Sequence, residues 1–193
     1  MSKRANLPVR AWKDLSLRVS KEDEAAHRTC NEFKNNIVKH VQDGIGLFIY
    51  GGVGSGKTVW TYKIARHYIE SIAPKWEDRD PNPIYFANVP RLLDEFRNAM
   101  RTDSKIDELD YLIMESDIVI FDDIGAENAT EWAKEKLYQY INYRYANCKT
   151  SIFTSNKELD SLEERIADRI RGTCVNVEFK MSSKRILGAH GGK

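Results

Sequence analysis

The sequence predicts an α/β fold: a three-layer sandwich with a five-stranded, mainly parallel sheet between helices. Three observations predict it. Five short β-rich runs alternate with stretches of helical period. The first run leads straight into Gly51-Gly52-Val53-Gly54-Ser55-Gly56-Lys57-Thr58, the spacing of a phosphate-binding loop: glycine, four residues, then Gly-Lys-Ser/Thr. The third run, Ile118-Val119-Ile120-Phe121, is continuous and β-rich, as expected of a strand buried on both faces, and it ends in Asp122-Asp123.

Composition sets the limits. A chain of 193 residues suits one domain, and 41% hydrophobic residues are enough for a sizeable core. Thirty Lys+Arg against 29 Asp+Glu give a net charge of +1, so the chain is not a wholesale polyanion binder and any basic surface must be local. The three cysteines, Cys30, Cys148 and Cys174, have neither metal-ligand spacing nor the look of a disulfide framework. A reduced, cytoplasmic setting is the simplest expectation. Met1-Ser2-Lys3-Arg4 has no apolar run behind it and does not read as a secretory signal. No apolar run approaches membrane-spanning length, so no membrane partner is expected.

Taken in order, the division expected is a basic arm and helix over residues 1–42, a core over 43–187 and a flexible tail over 188–193. The arm carries Lys3, Arg4, Arg10, Lys13 and Arg18, with Leu7, Val9, Trp12, Leu15 and Leu17 as apolar anchors. It reads either as a segment packed near a nucleotide base or a partner, or as a solvated tail with one docked turn. From Lys21 to about Gln42, Ala26, Cys30, Phe33, Ile37 and Val41 recur at helical steps, with Ser20 and Asp23 as a capping pair. Leu47–Tyr50 is the first strand, and a helix from Val59 to Ile72 follows the loop. Residues 73–83 hold three prolines and form a connection.

Ile84–Ala87 is the second strand. Pro90 suits the first turn of the next helix, whose buried face is Leu92, Leu93, Phe96 and Met100. A further helix runs from Leu109 to Glu115. After the third strand, Asn128 and Thr130 are candidate caps for a helix over 131–147 with Ala133, Leu137, Ile141 and Tyr145 as its stripe. Ser151–Thr154 is the fourth strand, Leu159–Arg171 a helix and Cys174–Glu178 the fifth strand. The tail is basic and contains glycine.

In parallel sheets of this kind, ligands bind beyond the C-terminal ends of the strands. The loop, Asp122-Asp123 and Asn156 each follow a strand directly, so they belong on one edge. The chemistry reads accordingly. Gly52, Val53, Gly54, Ser55, Gly56, Lys57, Thr58 and Val59 would wrap the phosphates, with backbone N–H groups turned inward and a helix N-terminus behind them. Lys57 supplies a point charge for the β- and γ-phosphates. Thr58 and Asp122 would hold Mg²⁺. Asp123 would orient or deprotonate the attacking water, with Glu127 as the next candidate base. Asn156 could bind that water or the γ-phosphate. Arg165 and Arg169 lie four apart on one helix face and could offer a cation to the developing charge, although salt bridges to neighbouring acids are the more ordinary fate.

With these residues assembled, the chain resembles the AAA+ ATPase domain of the DnaC/DnaI replicative-helicase loaders, and their relative IstB, a transposition helper. The resemblance covers about residues 40–187. It rests on the loop at 51–58, Ile-Val-Ile-Phe-Asp-Asp-Ile-Gly-Ala-Glu at 118–127, Phe-Thr-Ser-Asn at 153–156 and Arg-Ile-Ala-Asp-Arg-Ile-Arg-Gly at 165–172. It implies a P-loop NTPase of the AAA+ (ASCE) class with little or no helical lid. It also implies ATP or ADP and Mg²⁺ as cofactors, Asn156 as sensor 1, Arg169 as an arginine finger given to a neighbouring subunit, and Arg185 at sensor 2. Two departures stand out. Asp122-Asp123 replaces the Asp-Glu of most AAA+ proteins, which suits a slow switch. Only about 40 residues precede the core, without zinc ligands, where family loaders carry a helicase-binding domain.

The function implied is an ATP-hydrolysing loader that places a hexameric replicative helicase on single-stranded DNA and self-assembles into a ring or open helix. The alternatives are an IstB-type helper and a nucleotide-binding adaptor with little turnover. Tyr138, Tyr140, Tyr143 and Tyr145, with Arg144, are candidates for stacking on bases, or else a helix that is half core and half surface.

Overall fold

The computed structural model describes residues 6–13, 15–17, 19–73, 82–99, 106–125 and 130–180. Five strands, β1 (Gly46–Gly51), β2 (Ile84–Asn88), β3 (Ile118–Asp122), β4 (Thr150–Ser155) and β5 (Cys174–Phe179), form one sheet in the order β2-β3-β4-β1-β5. Every pairing is parallel. Seven α-helices are described: α1 (Glu24–Asn35), α2 (Ile37–Asp43), α3 (Lys57–Ile72), α4 (Val89–Ala99), α5 (Ile106–Glu115), α6 (Glu131–Ala146) and α7 (Glu164–Thr173).

Strand parity sorts the core into two layers, because successive side chains of a strand point to opposite faces. Leu47, Ile49, Ile118, Ile120 and Ile152 face one side, with α1 and α3 and the arm residues Leu7, Ala11 and Leu15. Phe48, Val119, Phe121 and Phe153 face the other, with side chains of α4, α5, α6 and α7. Residues 118–122 are buried throughout, as the unbroken apolar run of β3 demands.

Several expectations change in detail. The helix expected from Lys21 to Gln42 is two helices, because Asn36 leaves helical geometry (φ −102°, ψ 12°). Ser20 does bond the Asp23 backbone N–H through its hydroxyl at 3.2 Å. The Asp23 carboxylate, however, goes elsewhere: it accepts from the Lys180 backbone N–H just past β5, at 2.8 Å. The helix expected over Leu159–Arg171 is a 3-10 turn (Leu159–Ser161) followed by α7. The described part of the arm is no solvated tail. Leu7, Ala11 and Leu15 are buried, and Asn6 donates its side-chain amide to the Phe86 carbonyl on the outer edge of β2. Met100, Asn128, Glu127, Arg185 and the tail over 188–193 lie outside the described residues.

The sheet brings three strand ends together. β1 pairs with β4 and β4 with β3, so Gly51, Asp122 and Ser155 end neighbouring strands at one edge.

Candidate phosphate and metal site

The loop after β1 takes its shape from glycines. Gly51, Gly54 and Gly56 have φ of +135°, +80° and +96°, a region that L side chains rarely enter. Gly51 has a second constraint: a Cβ there would lie 2.0 Å from the Phe179 carbonyl oxygen of β5. α3 then starts at Lys57, two residues earlier than its apolar period indicated, with Gly56 as its N-cap and no side chain capping it. Its first-turn N–H groups have no intrahelical partners and open onto the loop, as a phosphate site requires.

Lys57 is buried, and its ammonium group reaches back into the loop. It donates to the Gly51 and Gly52 carbonyls at 2.8 and 2.9 Å and to Asn156 Oδ1 at 2.9 Å. Burial lowers its pKa, and Asp123 and Asp122 pull the other way. Asn156 in turn donates through Nδ2 to Asp123 Oδ1 at 2.7 Å. Asn156, 33 residues beyond Asp123 and 99 beyond Lys57, therefore joins the cation to the second aspartate.

Asp122 is buried at the end of β3. Its Oδ1 accepts from the Thr58 hydroxyl at 2.9 Å and from the Thr154 hydroxyl at 2.8 Å. Burial pushes its carboxyl above the usual carboxylate range, and the hydrogen bonds from Thr154 and Thr58 oppose that shift. Asp123 has φ +64°, a left-handed conformation that aspartate tolerates better than most residues. It turns the chain out of the sheet and is only half-buried beside Asn156.

The donor set fits a hard divalent cation held between protein and phosphates. The Thr58 hydroxyl gives its proton to Asp122 and keeps its oxygen lone pairs free for a metal. Among the described residues no three His, Cys, Asp or Glu side chains form a cage. Two oxygen donors, from Thr58 and Asp122, are the number that Mg²⁺ ordinarily takes from protein, the rest coming from waters and substrate phosphates.

Lys57, Thr58, Asp122, Asp123 and Asn156 thus form one connected cluster. Arg169 is not part of it. Its Nε donates to Asn142 at 2.9 Å, its Nη1 pairs with Asp168 at 2.7 Å, and it lies over the Tyr145 ring at 4.8 Å. Arg165 pairs with Glu163 and Glu135 and covers Tyr138. Arg144 and Tyr140 are no base-stacking surface, because both are fully buried. Arg144 binds the Ile113 and Ser116 carbonyls at the end of α5, each at 2.9 Å, and Tyr140 bonds Asp110. Val53, at the tip of the loop, is 70% exposed.

Three more residues line the site. Thr154 is expected only as a strand end within the Phe-Thr-Ser-Asn motif, Leu17 only as an apolar anchor of the arm, and no local pattern brings either to the loop or the acids. Asn88 ends β2 opposite Asp122, and its side chain helps to hold the Asp122 pKa down. Leu17 of the arm covers Gly56, where a Cβ would lie 2.8 Å from its Cδ2.

Residues 17–176 match the family model for the bacterial DnaA ATPase domain. The chain belongs to this family. A chromosomal replication initiator protein DnaA from Francisella tularensis subsp. novicida is 31% identical over 145 residues, 72% of this chain and 28% of the initiator. The chain spans little more than a quarter of the curated relatives it matches. Its fold is that of the DnaC helicase loader, at TM-score 0.74 and 21% identity, covering 90% of this chain and 100% of that one. Replication initiator DnaA bound to AMPPCP and single-stranded DNA aligns at TM-score 0.68 and 18% identity, over 86% of this chain and 49% of that one. The DnaA-family chain is therefore a P-loop AAA+ protein, as the phosphate loop and the strand order indicate. No helix among the described residues is long and apolar enough to cross a membrane.

Proposed function

We propose that this chain is an ATP-hydrolysing switch that loads a hexameric replicative helicase onto single-stranded DNA. The observation that carries this reading is the connected cluster of Lys57, Thr58, Asp122, Asp123 and Asn156, on a fold that aligns with the DnaC helicase loader at TM-score 0.74 and with the DnaA structure at 0.68.

The chemistry follows from the cluster. Lys57 exchanges loop carbonyls for β- and γ-phosphate oxygens, helped by the α3 N-terminus. Thr58 and Asp122 hold Mg²⁺, which, when bound, neutralises charge on the phosphates. Asp123 takes or orients the proton of the attacking water, and Asn156 positions that water or the γ-phosphate. Arg169 acts on a neighbouring subunit's nucleotide and leaves Asn142 and Asp168 to do so. A head-to-tail contact of this kind builds a ring or open helix. Arg185 would meet the nucleotide from the C-terminal segment.

The test is affinity purification of the tagged chain from its own cells with Mg·ATP. The expected result is co-purification of a hexameric helicase, and ATP-dependent transfer of that helicase to single-stranded DNA in the purified system. Recovery of a transposase instead would replace the loader reading with that of a transposition helper.

A further inference from the structure

β3 and β4 are in register up to Phe121 and Phe153. Beyond that point, Asp123 turns into a left-handed conformation that no parallel ladder accommodates. The Thr154 hydroxyl takes over where the ladder stops. It accepts the Asp123 backbone N–H at 2.9 Å and donates its single proton to Asp122 Oδ1 at 2.8 Å. A hydroxyl has one proton to give, so its direction here is fixed: the acceptor is the carboxylate, and the backbone N–H fills a lone pair. Thr154 is 1% exposed, so water does not compete for either bond. The next backbone step is pinned as well, since the Ile124 N–H bonds the Thr154 carbonyl at 2.8 Å.

One residue therefore sets the aim of both carboxylates. Through Asp122 Oδ1 it shares an acceptor with the Thr58 hydroxyl, which fixes the carboxylate plane relative to Thr58. Through the Asp123 N–H it holds the turn that carries the Asp123 side chain to Asn156 and so to Lys57. We propose that Thr154 is a positioning residue. Its hydroxyl, bridging Asp122 Oδ1 and the Asp123 N–H, holds the metal-binding and water-activating carboxylates in their working orientation. The inference rests on the Mg·ATP reading of this site. A valine there has the same shape and packs alike on β4, but it leaves the Asp123 N–H without its partner and Asp122 Oδ1 held by the Thr58 hydroxyl alone. A serine keeps the bridge.

The experiment compares wild type, Thr154→Val and Thr154→Ser. Nucleotide affinity is measured by calorimetry with AMPPCP, with and without Mg²⁺, alongside steady-state ATP turnover and thermal unfolding. The expected result for Thr154→Val is metal-free affinity within about twofold of wild type. The gain in affinity from Mg²⁺ and the kcat should both fall about 10- to 100-fold, the usual effect of removing a group that orients a metal ligand. Thr154→Ser should recover most of both. If Thr154→Val only lowers the unfolding temperature and keeps the Mg²⁺ gain and kcat, its role is structural and the inference is overturned. The same holds if the serine variant fails like the valine variant. Absence of nucleotide binding by the wild type is a separate outcome, and it overturns the proposed function itself. If the valine variant does not fold, the serine variant and Thr154→Ala carry the comparison, with Thr154→Ala expected to show the loss.

Discussion

Asn156 and Lys57 are 99 residues apart in the chain, yet the amide oxygen of one accepts from the ammonium of the other at 2.9 Å. The opposite end of the same amide holds Asp123 at 2.7 Å. The cation that would meet phosphate and the carboxylate that would meet water are thus linked through one side chain. Nucleotide entering the loop must compete with this link for the protons of Lys57.

The carboxylates should divide in their effects. Lys57→Ala removes the charge that meets phosphate and is expected to abolish ATP binding. Asp122→Asn should retain nucleotide but lose the dependence of affinity on Mg²⁺. Asp123→Asn should bind Mg·ATP normally and lose hydrolysis by about 100-fold or more, since a general base acts only in the chemical step. Equilibrium binding and single-turnover hydrolysis on the three variants separate these outcomes. Normal hydrolysis by Asp123→Asn would move the base to Glu127.

Arg169 is tested by mixing. Alone, Arg169→Ala should bind ATP like wild type but lack the rate stimulation that DNA and ATP produce together, a loss of about 10³-fold or more if it matches arginine fingers elsewhere. Lys57→Ala subunits should be inactive for a different reason. Mixed together, the two variants create junctions where an intact loop meets an intact Arg169, and ATPase assays should show partial recovery. A mixture that assembles yet stays inactive would rule out action across subunits.

Arg144 should matter for stability and not for DNA. Its guanidinium is fully buried among carbonyls of α5 and β4, and burial pushes its pKa down. Arg144→Ala leaves several buried acceptors unpaired, which should cost about 2–4 kcal/mol in urea unfolding. Affinity for single-stranded DNA, measured on the remaining folded protein, should not change.

Acid should loosen the packing of α1 against α3. His27 Nδ1 accepts from the Trp60 indole N–H at 3.0 Å, and the ring meets Phe179 edge-on. Burial lowers its pKa, with Asp23 opposing and Lys63 adding to the shift. Below the ordinary histidine value the unfolded chain therefore binds the proton more readily than the folded one. The stability His27 contributes is complete above about pH 6.5 and declines as pH falls towards and through its folded pKa. His40 is shifted in the same direction and adds to the decline. Urea midpoints should drop between pH 7.5 and 5.5, and by less in His27→Gln. An equal drop in that variant would assign the effect to other groups.

The sequence by itself determined the order of the elements and pointed to five side chains that the fold brings together, Lys57, Thr58, Asp122, Asp123 and Asn156. Alternation of β-rich runs with helical periods located every strand to within one residue at either end, because the two periods differ even over a short stretch. The phosphate loop and the two aspartates were legible because their chemistry is local: a spacing of glycines, a lysine, and acids at a strand end. Contacts between distant segments were not legible. No local pattern announces that Thr154 bridges two aspartates, that Asp23 holds the exit of β5, or that Leu17 covers Gly56. The sequence left the arm open and placed Arg144 and Tyr140 among surface candidates. Tertiary packing decided both, since helical spacing defines a face but not what lies against it. Helix ends moved for the same reason. Asn36 breaks the first helical stretch where the chain must turn to follow the sheet, and α3 gains its first turn from the geometry of the loop and not from apolar period.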